Sequence, residues 1–163
     1  MLANLKVIAP SSEHGKELCD LLIESITMNC ATDYNNDPQI MKEWLTNKTP
    51  ETISQWINST NNISLVALDT HKDQFAGFIL MNKDGEILLN YVLPSYIYKG
   101  IGKVLLKEME HIAKSSGIQS LSVVSTITAK NFYERNGFVK NGEPEYVGAI
   151  LGDFPLIKHL TTA

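Results

Sequence analysis

Tyr98-Lys99-Gly100-Ile101-Gly102-Lys103 joins an apolar strand, Ile87 to Val92, to an amphipathic helix through two glycines, and this junction decides how the chain is read. Glycine has no Cβ, so the backbone can pass close to a ligand, and the unpaired NH groups of a helix's first turn can converge on one anion. The helix dipole adds partial positive charge at that point, and Lys99 and Lys103 add whole charges. Ile101, Val104, Leu105, Met109 and Ile112 share one face of the helix at spacings of three and four. Lys103, Lys107, Glu110 and Lys114 take the other, and Gly117 supplies a C′ residue. The junction therefore has the makings of a phosphate site.

Working outward, three strand-period segments precede the junction: Ile63 to Leu68, Phe75 to Met81 and Glu86 to Val92. Thr70-His71-Lys72-Asp73 and Lys83-Asp84-Gly85 separate them as turns, so the three are expected to pair antiparallel. The helix from Gly100 to Ser116 crosses over to a strand at Ser120 to Val124, the layout of a parallel neighbour for the Glu86 strand. Thr128 is expected to cap a last helix containing Phe132 and Tyr133 that stops at Asn136-Gly137. Phe138-Val139 and Phe154 to Leu160 read as final strands.

The front third is mostly helical. After a first strand at Asn4 to Ala9, Ser11-Ser12-Glu13 opens a helix with Leu18, Leu21, Leu22 and Ile26 inward. Asn29 to Asp37 is a polar loop, and Gln39 to Thr46 a short helix with Ile40, Trp44 and Leu45 inward. Thr49-Pro50-Glu51 starts another helix in the favoured order of cap and N1 proline. Trp44 and Trp56 are assigned to packing. The element order predicts an α+β fold, a mixed and mostly antiparallel sheet with helices on both faces.

Length bounds the organisation to one domain over 1–163, since no linker, charge run or repeat suggests a second. An apolar share of 44% with short apolar runs excludes a membrane segment. Met1-Leu2-Ala3-Asn4-Leu5-Lys6 lacks a basic stretch followed by a long apolar run, which argues against a signal peptide and for a cytoplasmic location. Cys19 and Cys30 have no partner motif, and His14, His71, His111 and His159 have no metal-ligand spacing, so no metal is expected. A net charge of −4 speaks against a nucleic-acid partner and is compatible with an amine-bearing substrate.

Val92-Leu93-Pro94, the Tyr98 to Lys103 stretch continuing through Val104-Leu105-Leu106, and Ala129-Lys130-Asn131-Phe132-Tyr133-Glu134-Arg135-Asn136-Gly137-Phe138 together resemble the GCN5-related N-acetyltransferase (GNAT) superfamily. The first block resembles its Q/R-x-x-G-x-G/A pyrophosphate loop and the last its Asn-x-x-Tyr-x-x-x-Gly-Phe segment. The likeness covers roughly Phe75 to Val139. One position departs: Ile97 stands where the family has Gln or Arg and cannot donate to phosphate, which leaves recognition to main-chain NH groups.

The resemblance implies transfer of an acetyl group from acetyl-CoA to a primary amine by direct attack in a ternary complex. Acetyl-CoA would be cradled by Tyr98, Lys99, Gly100, Ile101, Gly102 and Lys103. It also implies a splayed parallel strand pair whose main chain at Tyr91, Val92 and Leu93 bonds the pantetheine and thioester, with Asn131 on the same arm. Tyr133 matches the family's general acid; a phenol near pKa ~10 is a sensible proton source for a thiolate. Glu86 falls where the histone-acetylating branch has its general base, although a charged residue that begins an exposed hairpin strand needs no function. Asp33 and Tyr34 lie in the loop that forms an acceptor wall in the family, where carboxylate and ring could hold a cationic amine. Small-molecule and peptide amines both remain open as acceptors, and a homodimer is compatible with the resemblance. A non-catalytic acyl-CoA-binding or sensor domain on the same fold is the alternative.

Overall fold

The computed structural model describes residues 3–147 and 150–161, so Met1 and Leu2 of the N-terminal reading lie outside the described residues. The elements follow in the order β1 (Leu5–Ile8), α1 (Gly15–Asn29), α2 (Pro38–Leu45), α3 (Pro50–Asn58), β2 (Asn62–Asp69), β3 (Gln74–Asn82), β4 (Glu86–Val92) and α4 (Ile101–Ser115). β5 (Ser120–Ser125), α5 (Ile127–Arg135), β6 (Val139–Lys140), β7 (Glu145–Val147) and β8 (Ile150–His159) complete the chain. The strands form one sheet in the order β1-β2-β3-β4-β5-β8-β6, with β7 attached to β8. Every pairing is antiparallel except that of β4 with β5. The α+β fold with one parallel strand pair matches the sequence expectation.

Three local differences have physical causes. Thr126, not Thr128, caps α5: its Oγ1 accepts the Ala129 NH at 3.2 Å, which puts Thr128 inside the first turn, where its own NH donates to Asp33 Oδ1 at 2.8 Å. The last strand begins at Ile150, earlier than expected, and β7 pairs with it. Pro155 is tolerated inside β8 because its main-chain polar edge faces the position just past the two-residue strand β6, where its carbonyl accepts from the Asn141 NH at 2.8 Å. The third difference lies on α4, where Leu106 and Ala113 join Ile101, Leu105 and Met109 as buried residues, whereas Val104 and Ile112 border that stripe.

α4 sits close to the sheet because of Gly77. A Cβ at that position would meet Ile101 Cγ2 at 2.9 Å and Leu105 Cδ1 at 3.0 Å, both side chains buried and unable to yield cheaply. This one missing methyl group fixes the height of the helix, and so of the glycine junction at its start, above β3 and β4. Gly77→Ala is expected to cost about 1–3 kcal/mol through overpacking. Calorimetric melting should show a fall in Tm of several degrees, with acetyl-CoA affinity reduced as the helix is lifted.

Candidate active site

β4 and β5 pair only at Glu86 with Ser122 and Ile87 with Val123, and beyond these two positions they part. On its other edge β4 stays paired with β3 as far as Val92 with Gly77, interrupted by a bulge at Leu88, which has no partner between Leu80 and Met81. The alternation of an antiparallel ladder then decides which main-chain groups are free. Leu93 donates its NH to the Ala76 carbonyl at 2.9 Å, so Leu93, Tyr91 and Leu89 turn their polar edges toward β3. Asn90 and Val92 turn theirs toward the gap.

This corrects the expected trio of main-chain contributors. Val92 faces the gap, Tyr91 and Leu93 do not, and Asn90 joins Val92 in their place. The Val92 carbonyl, deprived of a strand partner, is held by two side chains of α1: Ser25 Oγ donates to it at 2.7 Å and Asn29 Nδ2 at 3.0 Å. Those two residues were readable in principle, because they break the apolar stripe of α1 at positions four apart with small polar side chains.

The gap is a narrow cleft of about 60 Å³ lined by Asn90, Tyr91, Val123, Ser125, Thr126 and Tyr133, among others. Tyr133 is 4% exposed and packs edge-on against Phe132 and Phe138, with centroids 5.1 Å and 5.2 Å away. Burial raises the pKa of its phenol, with Asn90 beside it acting weakly in the opposite direction. The hydroxyl is therefore protonated at neutral pH. Asn90 lines the cleft, and its Oδ1 is buried without a hydrogen-bond partner among the described residues.

The anion cradle stands at the next turn of chain. Gly100 caps α4 in the left-handed region (φ 83°), and Tyr98 also has positive φ (62°). The first intrahelical bond is that of the Val104 NH to the Gly100 carbonyl, and among the described residues nothing accepts the NH groups from Tyr98 to Lys103. A Cβ at Gly102 would lie 3.5 Å from the Phe132 ring, an ordinary contact, so packing within the protein does not demand glycine there. The bare main chain fits a diphosphate. Ile101 is buried and can offer only its NH, while Lys99 rests 5.5 Å over the Tyr96 ring and Lys103 is exposed. Tyr98 is fully exposed, and Asn131 is exposed on α5.

A second cavity, about 360 Å³, adjoins the cleft, since Thr126 lines both. Asp33, Ile40, Glu43, Trp44 and Asp153 are among its walls, which brings together three carboxylates from distant parts of the chain. Burial, then the charge of Glu145, pushes the Asp153 carboxyl up. Burial, then the charge of Asp33, raises the Cys30 thiol to about 12 and keeps it neutral.

Two expected site residues are placed elsewhere. The Tyr34 hydroxyl donates to the Thr27 carbonyl at 2.9 Å, so this buried side chain closes the end of α1 and is not part of the cavity lining. Glu86 lies at the closed end of the strand pair, outside the cleft lining, with its carboxylate accepting from Asn82 Nδ2 at 3.2 Å.

Fold and site together define the class: an acyltransferase. The chain belongs to the acetyltransferase (GNAT) domain family, whose model matches residues 13–158. A spermidine N(1)-acetyltransferase of Thermoplasma acidophilum is 28% identical over 137 residues, covering 78% of this chain and 84% of that protein. The uncharacterized N-acetyltransferase YafP of Escherichia coli K12 is 32% identical over 141 residues, covering 85% of each. The crystal structure of the PaiA N-acetyltransferase of T. acidophilum, in complex with coenzyme A, superposes with a TM-score of 0.81 at 25% identity. That match covers 95% of this chain and 98% of the other.

Tyr96 anchors the loop that leads into the cradle. Its hydroxyl donates to Asp69 Oδ2 at 2.6 Å, a bond that lowers the Asp69 pKa and raises that of Tyr96 to about 12. The depressed carboxylate contributes stability above its unfolded pKa of ~4 that is lost as pH falls; the raised phenol contributes below ~10 and loses it as pH climbs. Tyr96→Phe should therefore lower Tm by a constant amount across neutral pH. The gap from the parent should close below pH ~4 and above pH ~10, and CoA affinity should weaken as the loop loosens.

Proposed function

We propose that this protein transfers an acetyl group from acetyl-CoA to the primary amine of a small molecule, by direct attack with both substrates bound. The observation that carries this reading is the parting of β4 from β5 just before the free NH groups that open α4. Acetyl-CoA supplies a thioester carbon open to a neutral amine. The coenzyme A complex of the structural relative supports the donor, and the spermidine acetyltransferase supports a small-molecule acceptor. A cavity of about 360 Å³ beside the cleft is also on the scale of small-ligand pockets rather than of a protein-docking face.

Each part of the site has a role in this reading. Tyr98 to Lys103 hold the diphosphate through main-chain NH groups assisted by the α4 dipole, with Lys99 and Lys103 adding long-range charge. Asn131, on the exposed face of α5, bonds the pantetheine arm. The Val92 NH and the Asn90 main chain, which face the gap, bond the arm and the thioester oxygen, where charge develops. Tyr133 gives its proton to the departing sulfur. Among the described residues no carboxylate or histidine lines the cleft, so the acceptor's ammonium gives its proton to solvent and the neutral amine then attacks. Glu86, outside the lining, takes no direct part.

The test is thiol release from acetyl-CoA with a panel of amines, alongside calorimetric CoA binding. Tyr133→Phe is expected to lower kcat by about 10²–10⁴-fold, the usual worth of a general acid, with little change in acetyl-CoA affinity. Gly102→Asp should abolish CoA binding while the circular dichroism and melting temperature stay native, because Asp is well placed in a first helical turn but repels a diphosphate. Tight CoA binding with no turnover on any amine would favour the non-catalytic sensor. An unchanged rate in Tyr133→Phe removes the phenol from the mechanism.

A further inference from the structure

We infer that Ser25 and Asn29 of α1 are positioning residues for acetyl transfer: they fix the free edge of β4 so that one of its outward NH groups meets the thioester oxygen. This rests on the acetyltransferase reading above and names what holds its main-chain donors in place. Val92 stands opposite Gly77 in the last pair that β4 makes with β3, and the next residue, Leu93, donates its NH to the Ala76 carbonyl at 2.9 Å. The peptide between Val92 and Leu93 is therefore tied to the sheet at one end. Its other end, the Val92 carbonyl, has no strand beside it, because β5 has parted after Ile87. Ser25 Oγ and Asn29 Nδ2 take that place at 2.7 Å and 3.0 Å, and the same amide reaches Ser25 Oγ at 3.4 Å. One carbonyl thus carries two side-chain donors, which also bond one another.

Packing alone does not ask for this arrangement. Ser25 is 1% exposed and is buried with Leu18, Leu21, Leu22 and Ile26 of α1, where alanine would fill nearly the same volume without a polar atom. A hydroxyl in such a place must be bonded, and this one donates to the strand that parts. The bond has two consequences for the chemistry. Anchors on both sides, Ala76 and α1, set the plane of the last β4 peptide, and with it the direction of the outward NH groups at Val92 and Asn90. A donor to a developing oxyanion works through such preset geometry. The two donors also offset the partial negative charge of the Val92 carbonyl, which would otherwise stand bare on the same edge as the oxygen that becomes negative. Val92 Cγ2 lies 3.9 Å from where a Cβ on Gly102 would stand, so strand tip and cradle adjoin. A tip free to swing would shift the thioester against a diphosphate that stays in place.

The experiment compares the parent with Ser25→Ala, Asn29→Ala and the double variant, alanine being a good helix former at both positions. Two quantities are read: kcat at saturating acetyl-CoA and amine, and the infrared carbonyl band of bound acetyl-CoA isotope-labelled at its acetyl carbonyl, which moves to lower frequency when its oxygen accepts a hydrogen bond. Each single variant keeps one donor on the Val92 carbonyl, so kcat should fall severalfold. The double variant leaves the carbonyl bare; its kcat should fall about a hundredfold, more than the product of the two single effects. Its band should return toward that of free acetyl-CoA, while calorimetric affinity for CoA, held at the cradle, stays that of the parent. A parent-like band and kcat in the double variant overturn the inference, and so does a loss of kcat that merely follows a loss of CoA binding or of folded protein. An unshifted band in the parent overturns it as well, since no main-chain donor then meets the thioester. If no amine releases thiol, acetyl transfer fails and the band alone decides: a shift that the double variant abolishes upholds the positioning role, and one that survives overturns it.

Discussion

The site depends on one constraint: β4 leaves β5 after two residue pairs while keeping β3. Main-chain groups inside a protein are almost always paired, so a strand that abandons a neighbour must find other partners or leave its groups for a ligand. β4 does both. The Val92 carbonyl is met by Ser25 and Asn29 from α1, whereas the Val92 NH and the outward edge of Asn90 face an open cleft. The bulge at Leu88 falls at the branching point, where an extra residue increases local twist and turns the strand away from β5. A β4 zipped to β5 along its length would have better backbone pairing and no cleft.

The same branching sets the positions of the helices. α5 leaves β5 directly after the parted segment, and its first turn is fixed by Thr126 and, from the far side of the cleft, by Asp33. α4 begins at Ile101, after the four residues Ile97 to Gly100 that follow the short turn Pro94–Tyr96, is lowered onto the sheet by Gly77, and follows a loop tied to the β2 end through Tyr96 and Asp69. Phe132 of α5 packs against Gly102 of α4. The free NH groups that open α4 and the helix that carries the Tyr133 phenol are thus set against one another by short-range contacts.

What was legible in the sequence is what local pattern encodes. The glycine pair, the stripe from Ile101 to Met109, the alternation in β2 to β4 and the Tyr133 segment are all readable within windows of a dozen residues, and they delivered the fold. Ladder parity is not local: that Asn90 rather than Tyr91 faces the gap follows from the pairing with β3, and one bulge is enough to reset it. The acidic cavity draws Asp33 from a loop, Glu43 from α2 and Asp153 from β8, separations that no motif spans. Glu86 is a different case: its position in the chain matches a family pattern, and its side chain accepts from Asn82 at the closed end of the strand pair. Thr128 failed as a cap because two threonines two residues apart look alike in sequence, and the helix starts from the first of them, whose Oγ1 takes the Ala129 NH.

Asp33 joins these levels. Its Oδ1 accepts the Thr128 NH at 2.8 Å and so helps to position the start of the helix that carries Tyr133, while the residue also lines the cavity beyond Thr126. One buried side chain thus ties the loop after α1 to the first turn of α5, 95 residues further along the chain. The same carboxylate, after burial itself, keeps the Cys30 thiol neutral, so the end of α1 and the start of α5 share one charged group. Removing that group would release the helix start and leave a buried main-chain NH to find another partner.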